Sequence, residues 1–421
     1  MLTSIVFVAY LIAFCLLINK ISFFKKSGLS RYLLIALFTI KVFAGCAYGW
    51  FYSLPAYVHT SDTWKYFNLS KPETDWLLKD PIAFIKDLFS YNYNSSGNLF
   101  IANNSYWNDL KDNIIIKITA VINVFSFKNY YADVIFFNFF FLFGCIAFYR
   151  LLKEKLAANN YVLIAFVFCI PSFLFWCSGI HKDGFVFMTI ALCSFCFNRW
   201  LETKRITFKY VIVFLICASF LFVLRNFVLL LLLPALLVWY LCNRYPEKKS
   251  MFVISVYGSA VIIFFISGFI SSSINFPNYI LTKQNEFKTL SGNSQLMLPA
   301  LQPNFTGFIM FLPYAIDIAF FRPHINEVPN ALYLPAIAEN IFIYCLIVYS
   351  AYQFYLKRKQ FFLTDASKAF MIFCFVFAVS NLLMMGYTVT LTGAIVRYRS
   401  FVLPFIVAPL AVFIMKPDFR K

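Results

Sequence analysis

The sequence predicts an all-α polytopic membrane protein: a transmembrane helical bundle of about eleven spans, with two long outer loops containing short amphipathic helices. Three observations carry this. Of the 421 residues, 62% are hydrophobic and only 13% charged, where a soluble domain is about one quarter charged. The apolar residues gather in runs of about 18, enough to cross a hydrocarbon core of about 30 Å at about 1.5 Å per residue. Basic residues crowd into alternate connections between those runs, as they do in cytoplasmic loops.

Hydropathy places the spans near 3–19, 31–50, 130–149, 160–176, 184–199, 210–224, 226–242, 251–271, 331–354, 369–387 and 400–415. The first run has no basic leader and no small-residue cleavage site, so it reads as a retained helix. Stretches 114–127 and 306–321 are apolar but shorter or interrupted, which suits interfacial or re-entrant helices. The whole chain, 1–421, reads as a single integral membrane domain. Its first outer loop is 52–129 and its second is 272–330, both punctuated by Asn, Ser, Gly and Pro. Their length marks them as candidates for function.

The basic connections hold Lys20, Lys25, Lys26 and Arg31; Arg150, Lys153 and Lys155; Arg199, Lys204, Arg205 and Lys209; Arg244, Lys248 and Lys249; Lys357, Arg358, Lys359 and Lys368; and Lys416, Arg420 and Lys421. Glu154, Glu202, Glu247, Asp365 and Asp418 are the acids among them. This asymmetry predicts a multi-pass protein of the inner (cytoplasmic) membrane, N-terminus outside and C-terminus cytoplasmic. It also accounts for the net charge of +18, so no nucleic-acid partner is expected. The 11 cysteines lie almost wholly inside apolar runs. No disulfide framework is implied, and Cys193 and Cys196 read as small residues on one helix face.

Against this background one stretch stands out. Pro171-Ser-Phe-Leu-Phe-Trp-Cys-Ser-Gly-Ile-His-Lys-Asp-Gly184 breaks two apolar runs and leaves His181, Lys182 and Asp183 at a membrane surface. Ionisable groups are costly there unless paired or wetted, so they are candidates for function. Other unusual polar residues fall on the same predicted outer side. His59, Asp62 and Tyr66 follow the second span, and Arg225 separates two apolar runs. Arg322, His324 and Glu327 end the second long loop, Glu339 lies in the next span, and Arg397, Tyr398 and Arg399 precede the last helix. Arginine offers a planar fork of donors to phosphate oxygens and lysine a compact charge. Lys182, Arg225, Arg322, Arg397 and Arg399 therefore suit a diphosphate attached to a lipid. Asp62 suits a general base toward an acceptor hydroxyl, or a metal ligand.

Each residue also has a plainer reading. Ser-Asp at 61–62 is ordinary helix-capping chemistry. Lys182 and Asp183 can pair with each other at a helix start. Glu327 and Glu339 can serve only to neutralise Arg322. Lys41, inside the second span, is either the buried partner of an acid or a mark of a misplaced boundary. Trp50, Trp64, Trp76 and Trp107 suit either stacking on sugar rings or an interfacial aromatic belt. The three histidines, His59, His181 and His324, all fall on the predicted outer side but are far apart in sequence for a metal site. No cofactor is required by the sequence, and a divalent metal stays open.

Three segments resemble the polytopic glycosyltransferases of the GT-C type and the related O-antigen-like polymerases of bacterial surface polysaccharides. They are Asp62 with Tyr66 in the first outer loop, the Pro171–Asp183 break, and Arg397-Tyr398-Arg399 followed by Pro404. The resemblance implies a transferase with Asp62 as catalytic acid. The basic residues would meet a polyprenyl-phosphate- or diphosphate-linked sugar, with a glycan as acceptor and membrane lipid as surroundings. The chain differs in carrying this loop after the second span and in having no Asp-x-Asp pair. Two other functions remain open: a transporter or flippase of lipid-linked or anionic substrates, and a structural subunit of an export complex. Transporters place charges near the midplane and often show internal repeats. Here the charges cluster at one face and no repeat is visible.

Overall fold

The computed structural model describes residues 2–59, 61–89, 106–270, 274–290, 294–327, 333–356 and 363–414. Among them the chain is all-α; the only β pairing is one isolated bridge between Gln295 and Leu391. Seven helices are long and apolar enough to cross a membrane, or eight if the bent pair Thr392–Arg399 and Leu403–Ile414 counts as one span. The count is below eleven for physical reasons. Leu2–Ile18 has 17 residues, about 26 Å at about 1.5 Å each. The 160–176 run is two short helices, Asn160–Phe168 and Pro171–Trp176. Phe208–Arg244 is counted once in that tally, but it is two helices that meet at a kink where Arg225 adopts φ −153° and ψ 81°, as the two apolar runs on either side of Arg225 predict.

The chain divides into two compact units. The first comprises Met1–Arg150, Phe173–Cys196 and Arg205–Asn226; the second comprises Leu151–Ser172, Phe197–Lys204 and Phe227–Lys421.

In the first unit, the described residues of the long segment after Arg31–Ser53 are largely helical. Two amphipathic helices, Asp62–Lys79 and Tyr106–Ser126, lie against each other. Polar residues on their facing sides are matched. Asn123 Nδ2 donates to Ser70 Oγ at 2.8 Å, and Thr74 Oγ1 donates to the Ala120 carbonyl at 3.2 Å. The buried Lys117 ammonium reaches Glu73 at 2.6 Å and Asp87 at 2.9 Å, under the rings of Trp76 and Phe84. The Arg31–Ser53 helix starts where Ser30 Oγ accepts from Leu33 N. Its Gly45 permits a close backbone approach, because a Cβ there would sit 2.3 Å from the Ser178 carbonyl oxygen. Small residues serve this purpose in helix contacts within lipid.

In the second unit, Asp365–Thr388 starts at the Thr364 cap and buries a row of Phe370, Phe373, Phe377 and Met385. Trp239 stacks on Phe373 with centroids 4.8 Å apart. The Phe305–Ile316 helix packs on Asp365–Thr388 and continues into a π-helical turn, Asp317–Phe321. Such turns are frequent at functional sites. One span contrasts with the rest. Pro246–Ile270 is only 6% buried, although Lys249 at its start pairs with Asp365 at 2.5 Å.

Candidate functional site

The broken segment is held in place by side chains from two neighbouring spans of the first unit. Between the Pro171–Trp176 helix and the Lys182–Thr203 helix the backbone leaves helical geometry over Cys177–His181, which frees carbonyls that need donors. Lys41 Nζ donates to the Cys177 carbonyl at 3.2 Å and to Ser178 Oγ at 2.9 Å, over the face of Phe173. Asn138 Nδ2 donates to the Ser178 carbonyl at 2.7 Å. Lys41, Asn138 and Ser178 are all fully buried. Lys41 is therefore neither the partner of an acid nor a misplaced boundary; its ammonium caps a broken helix. Replacing Lys41 by Met should leave the Cys177 carbonyl unsatisfied at a cost of about 1–3 kcal/mol. Thermal unfolding of the purified chain checks this, and an unchanged midpoint would refute the capping role.

The segment so held presents His181, which is fully buried with a carboxylate at each ring nitrogen. Asp62 Oδ2 lies 3.2 Å from Nε2 and Asp183 Oδ2 lies 2.9 Å from Nδ1. The Asp183 backbone N–H also points at Nδ1, at 3.3 Å. The second oxygen of Asp183 accepts from Arg225 Nη2, and both partners of that pair are buried. Arg225 reaches it from the interruption in Phe208–Arg244. The result is a chain of contacts, Asp62–His181–Asp183–Arg225. Only its first member reaches solvent, with 38% of its side chain exposed. Asp62 opens the Asp62–Lys79 helix, but the cap position belongs to Ser61, which makes no side-chain cap bond. The Asp62 carboxylate reaches His181.

Beside this chain sits a second carboxylate that the sequence reading missed. Asp112, on Tyr106–Ser126, accepts from the Tyr66 hydroxyl at 2.8 Å and faces Lys182 at 3.4 Å and Lys65 at 3.8 Å. Lys182 thus pairs with Asp112 and Asp183 with His181 and Arg225; the two do not pair with each other. Burial pushes the Asp112 carboxyl up, but Lys182, Tyr66, Lys111 and Lys65 together outweigh it and hold it below its ordinary value. A carboxyl lowered by folding adds stability above the unfolded value of about 3.9, and that stability is lost as pH falls through the folded value. Tyr66→Phe removes one of the groups that lower it. Acid unfolding followed by tryptophan fluorescence should therefore begin at higher pH in the variant.

The second unit carries its own basic group. Arg322 Nε donates to Asp317 Oδ2 at 2.7 Å, and His324 Nε2 lies 3.0 Å from Asp317 Oδ1. Arg399, which is buried, donates to the Arg322 carbonyl at 2.7 Å and to Asn340 Oδ1 at 2.5 Å. Glu339 accepts from the Ser172 backbone N–H at 2.7 Å and acts on Arg399, while Asp317 meets Arg322. Arg397 lies over the Tyr398 ring, which meets Phe287 edge-on. His59 is exposed in the turn before Asp62. Glu327 closes a short 3-10 turn, and its side chain lies outside the described residues.

The predicted site residues thus fall into two groups. Asp62, Tyr66, His181, Lys182, Asp183 and Arg225 are brought together in the first unit, and Arg322, Glu339 and Arg399 in the second. Among the described residues no three His, Cys, Asp or Glu side chains converge as a metal-ligand set. Asp62 and Asp183 address opposite nitrogens of one ring. Of the predicted stacking tryptophans, Trp64 donates to the Gly49 carbonyl and stacks on Tyr130, and Trp76 covers Lys117. Trp50 is exposed.

No family model, no characterised protein and no solved structure matches this chain.

What the arrangement can do follows from its parts. A carboxylate open to solvent, fixed by a buried imidazole, is a positioned proton acceptor. The neighbouring ammonium of Lys182 can offset negative charge that develops close by. Asp317 and Asp112 were both hard to find in the sequence, but not equally so. Asp317 is a lone acid in the apolar run Phe311–Phe321, which is itself a signal.

Proposed function

We propose that this protein is an integral membrane transferase working at the outer face of the cytoplasmic membrane. It moves a sugar from a polyprenyl phosphate or diphosphate carrier to a hydroxyl of a glycan acceptor, in the assembly of cell-surface glycans. The observation that carries the reading is the Asp62–His181–Asp183–Arg225 chain, which ends in a carboxylate open to solvent. In the proposed step the acceptor O–H gives its proton to Asp62 as its oxygen bonds to the anomeric carbon. The bond from that carbon to the phosphate oxygen breaks, and its electron pair leaves with the phosphate. Lys182 and Lys65 stabilise that charge. His181 orients Asp62, and Asp183 with Arg225 orients His181. Tyr66 and Asp112 hold Lys182 at the rim.

The basic connections support the orientation, with the C-terminus in the cytoplasm and segment 52–129 outside. Arg322, with Arg399 bonded to its carbonyl, gives the second unit a cationic group that suits phosphate. Purified protein in liposomes containing a polyprenyl-diphosphate-linked sugar and an acceptor glycan tests the proposal. Transfer should release the polyprenyl diphosphate and extend the acceptor. Movement of the intact lipid-linked sugar across the bilayer without cleavage would overturn the reading in favour of a transporter.

A further inference from the structure

Two ammonium groups and a phenol converge on the carboxylate of Asp112. Lys182 Nζ lies 3.4 Å from Oδ1 and Lys65 Nζ 3.8 Å from Oδ2, and the Tyr66 hydroxyl donates to Oδ1 at 2.8 Å. The neighbouring acids address other groups: Asp62 and Asp183 flank the His181 ring, and Asp183 also meets Arg225. Lys182 follows His181 directly, and Lys65 stands one helical turn after Asp62. Asp112 comes from a third element, the Tyr106–Ser126 helix, which carries no member of the relay. It is ionised at neutral pH, because Lys182, Tyr66, Lys111 and Lys65 hold its carboxyl below the ordinary value.

These three donors make a cradle for an anion, and a side chain of the protein itself lies in it. The contacts are open to water: side-chain exposure is 57% for Lys65, 30% for Asp112 and 14% for Lys182. Ion pairs so exposed are weak. A phosphate monoester brings about two negative charges at neutral pH, against the one of Asp112, and more oxygens to accept from the same donors. Displacing the carboxylate requires a turn of a short side chain between staggered rotamers, with both helices in place. The reverse exchange has a use as well. Cleavage of the bond to the sugar adds a negative charge to the phosphate, so ammoniums that stabilise that charge hold the product more tightly than the donor. Release of product then becomes the slow step, as it is in many enzymes.

We propose that Asp112 competes with the phosphate of the lipid carrier for Lys182, Lys65 and Tyr66, and thereby speeds departure of the polyprenyl phosphate or diphosphate after transfer. This rests on the transferase reading above. No covalent bond changes in the exchange; one anion replaces another on the same donors. Asp112 is therefore a release residue, with no part in proton transfer.

The test titrates inorganic pyrophosphate into the detergent-purified full chain at neutral pH, followed by calorimetry. Asp112→Asn keeps the size of the side chain and an oxygen for Tyr66 while removing the charge. It should bind pyrophosphate roughly tenfold more tightly than the parent, the equivalent of about 1.4 kcal/mol. Equal or weaker binding in the variant would overturn the proposal, as would no binding to either protein. In transfer from a polyprenyl-linked donor, the variant should give a rapid burst and then a slower steady rate, with kcat and the donor KM both reduced. A slowed first turnover would place Asp112 in the chemistry and sink the release role. Tighter pyrophosphate binding with no transfer by either protein would overturn the transferase reading and leave the exchange of anions supported. Should Asp112→Asn fail to fold, Asp112→Ser carries the same expectation and the same refutation.

Discussion

Asp62→Asn is expected to lower the rate of sugar transfer by about 10²–10⁴-fold, the usual worth of a positioned general base. The change keeps the shape of the side chain and a polar atom for His181, so the fold should survive. The loss should fall on kcat with little change in KM, because the carboxylate acts only as the proton moves. Single-turnover transfer from a polyprenyl-linked donor measures this directly. Activity within a few-fold of the parent would remove Asp62 from the chemistry. The relay behind it would then stand as a structural ion network.

Arg225→Met is expected to destabilise the protein by about 3–5 kcal/mol, because it leaves Asp183 buried without its cation. Asp183 has no exposed surface, so solvent does not screen the loss. The double variant Arg225→Met/Asp183→Asn should recover most of the stability, since no uncompensated charge then remains. A full cycle of the two singles and the double, read by thermal unfolding in detergent, isolates the coupling. Additive effects would show that the pair is incidental. Transfer activity should fall in the double variant even where stability returns, because His181 has lost the carboxylate that orients it.

The fold class was legible because it depends on quantities a sequence displays directly: apolar run length and the rarity of charge. The number of spans was less so. Run length cannot see that Cys169 and Ile170 interrupt one stretch. The candidate site was legible wherever a charge stood inside an apolar run, as His181, Lys182, Asp183 and Arg225 do. Their partners were harder to read. Asp112 lies in a polar stretch, Lys-Asp-Asn at 111–113, that looks like any solvated helix face. The Lys41 ammonium meets a backbone carbonyl, and carbonyls are present at every residue and carry no signal of their own. Asn340, which holds Arg399, is an ordinary amide until its geometry is known. Pairing is a property of tertiary distance, and single-chain patterning reports only which residues need a partner.

The weakly packed span at Pro246–Ile270 has a consequence for how the chain tolerates change. Where a helix meets few protein atoms, shape complementarity imposes almost no selection on it, and what persists is oiliness. Exchanges among leucine, isoleucine and valine at the exposed Ile254, Val261, Ile262 and Ile263 should pass unnoticed, while a single aspartate there would be rejected; Phe264 and Phe265, which pack on Phe276, Phe305 and Phe308, are held more tightly. Drift will be fastest on this stretch, and its residues will say least about what the protein does.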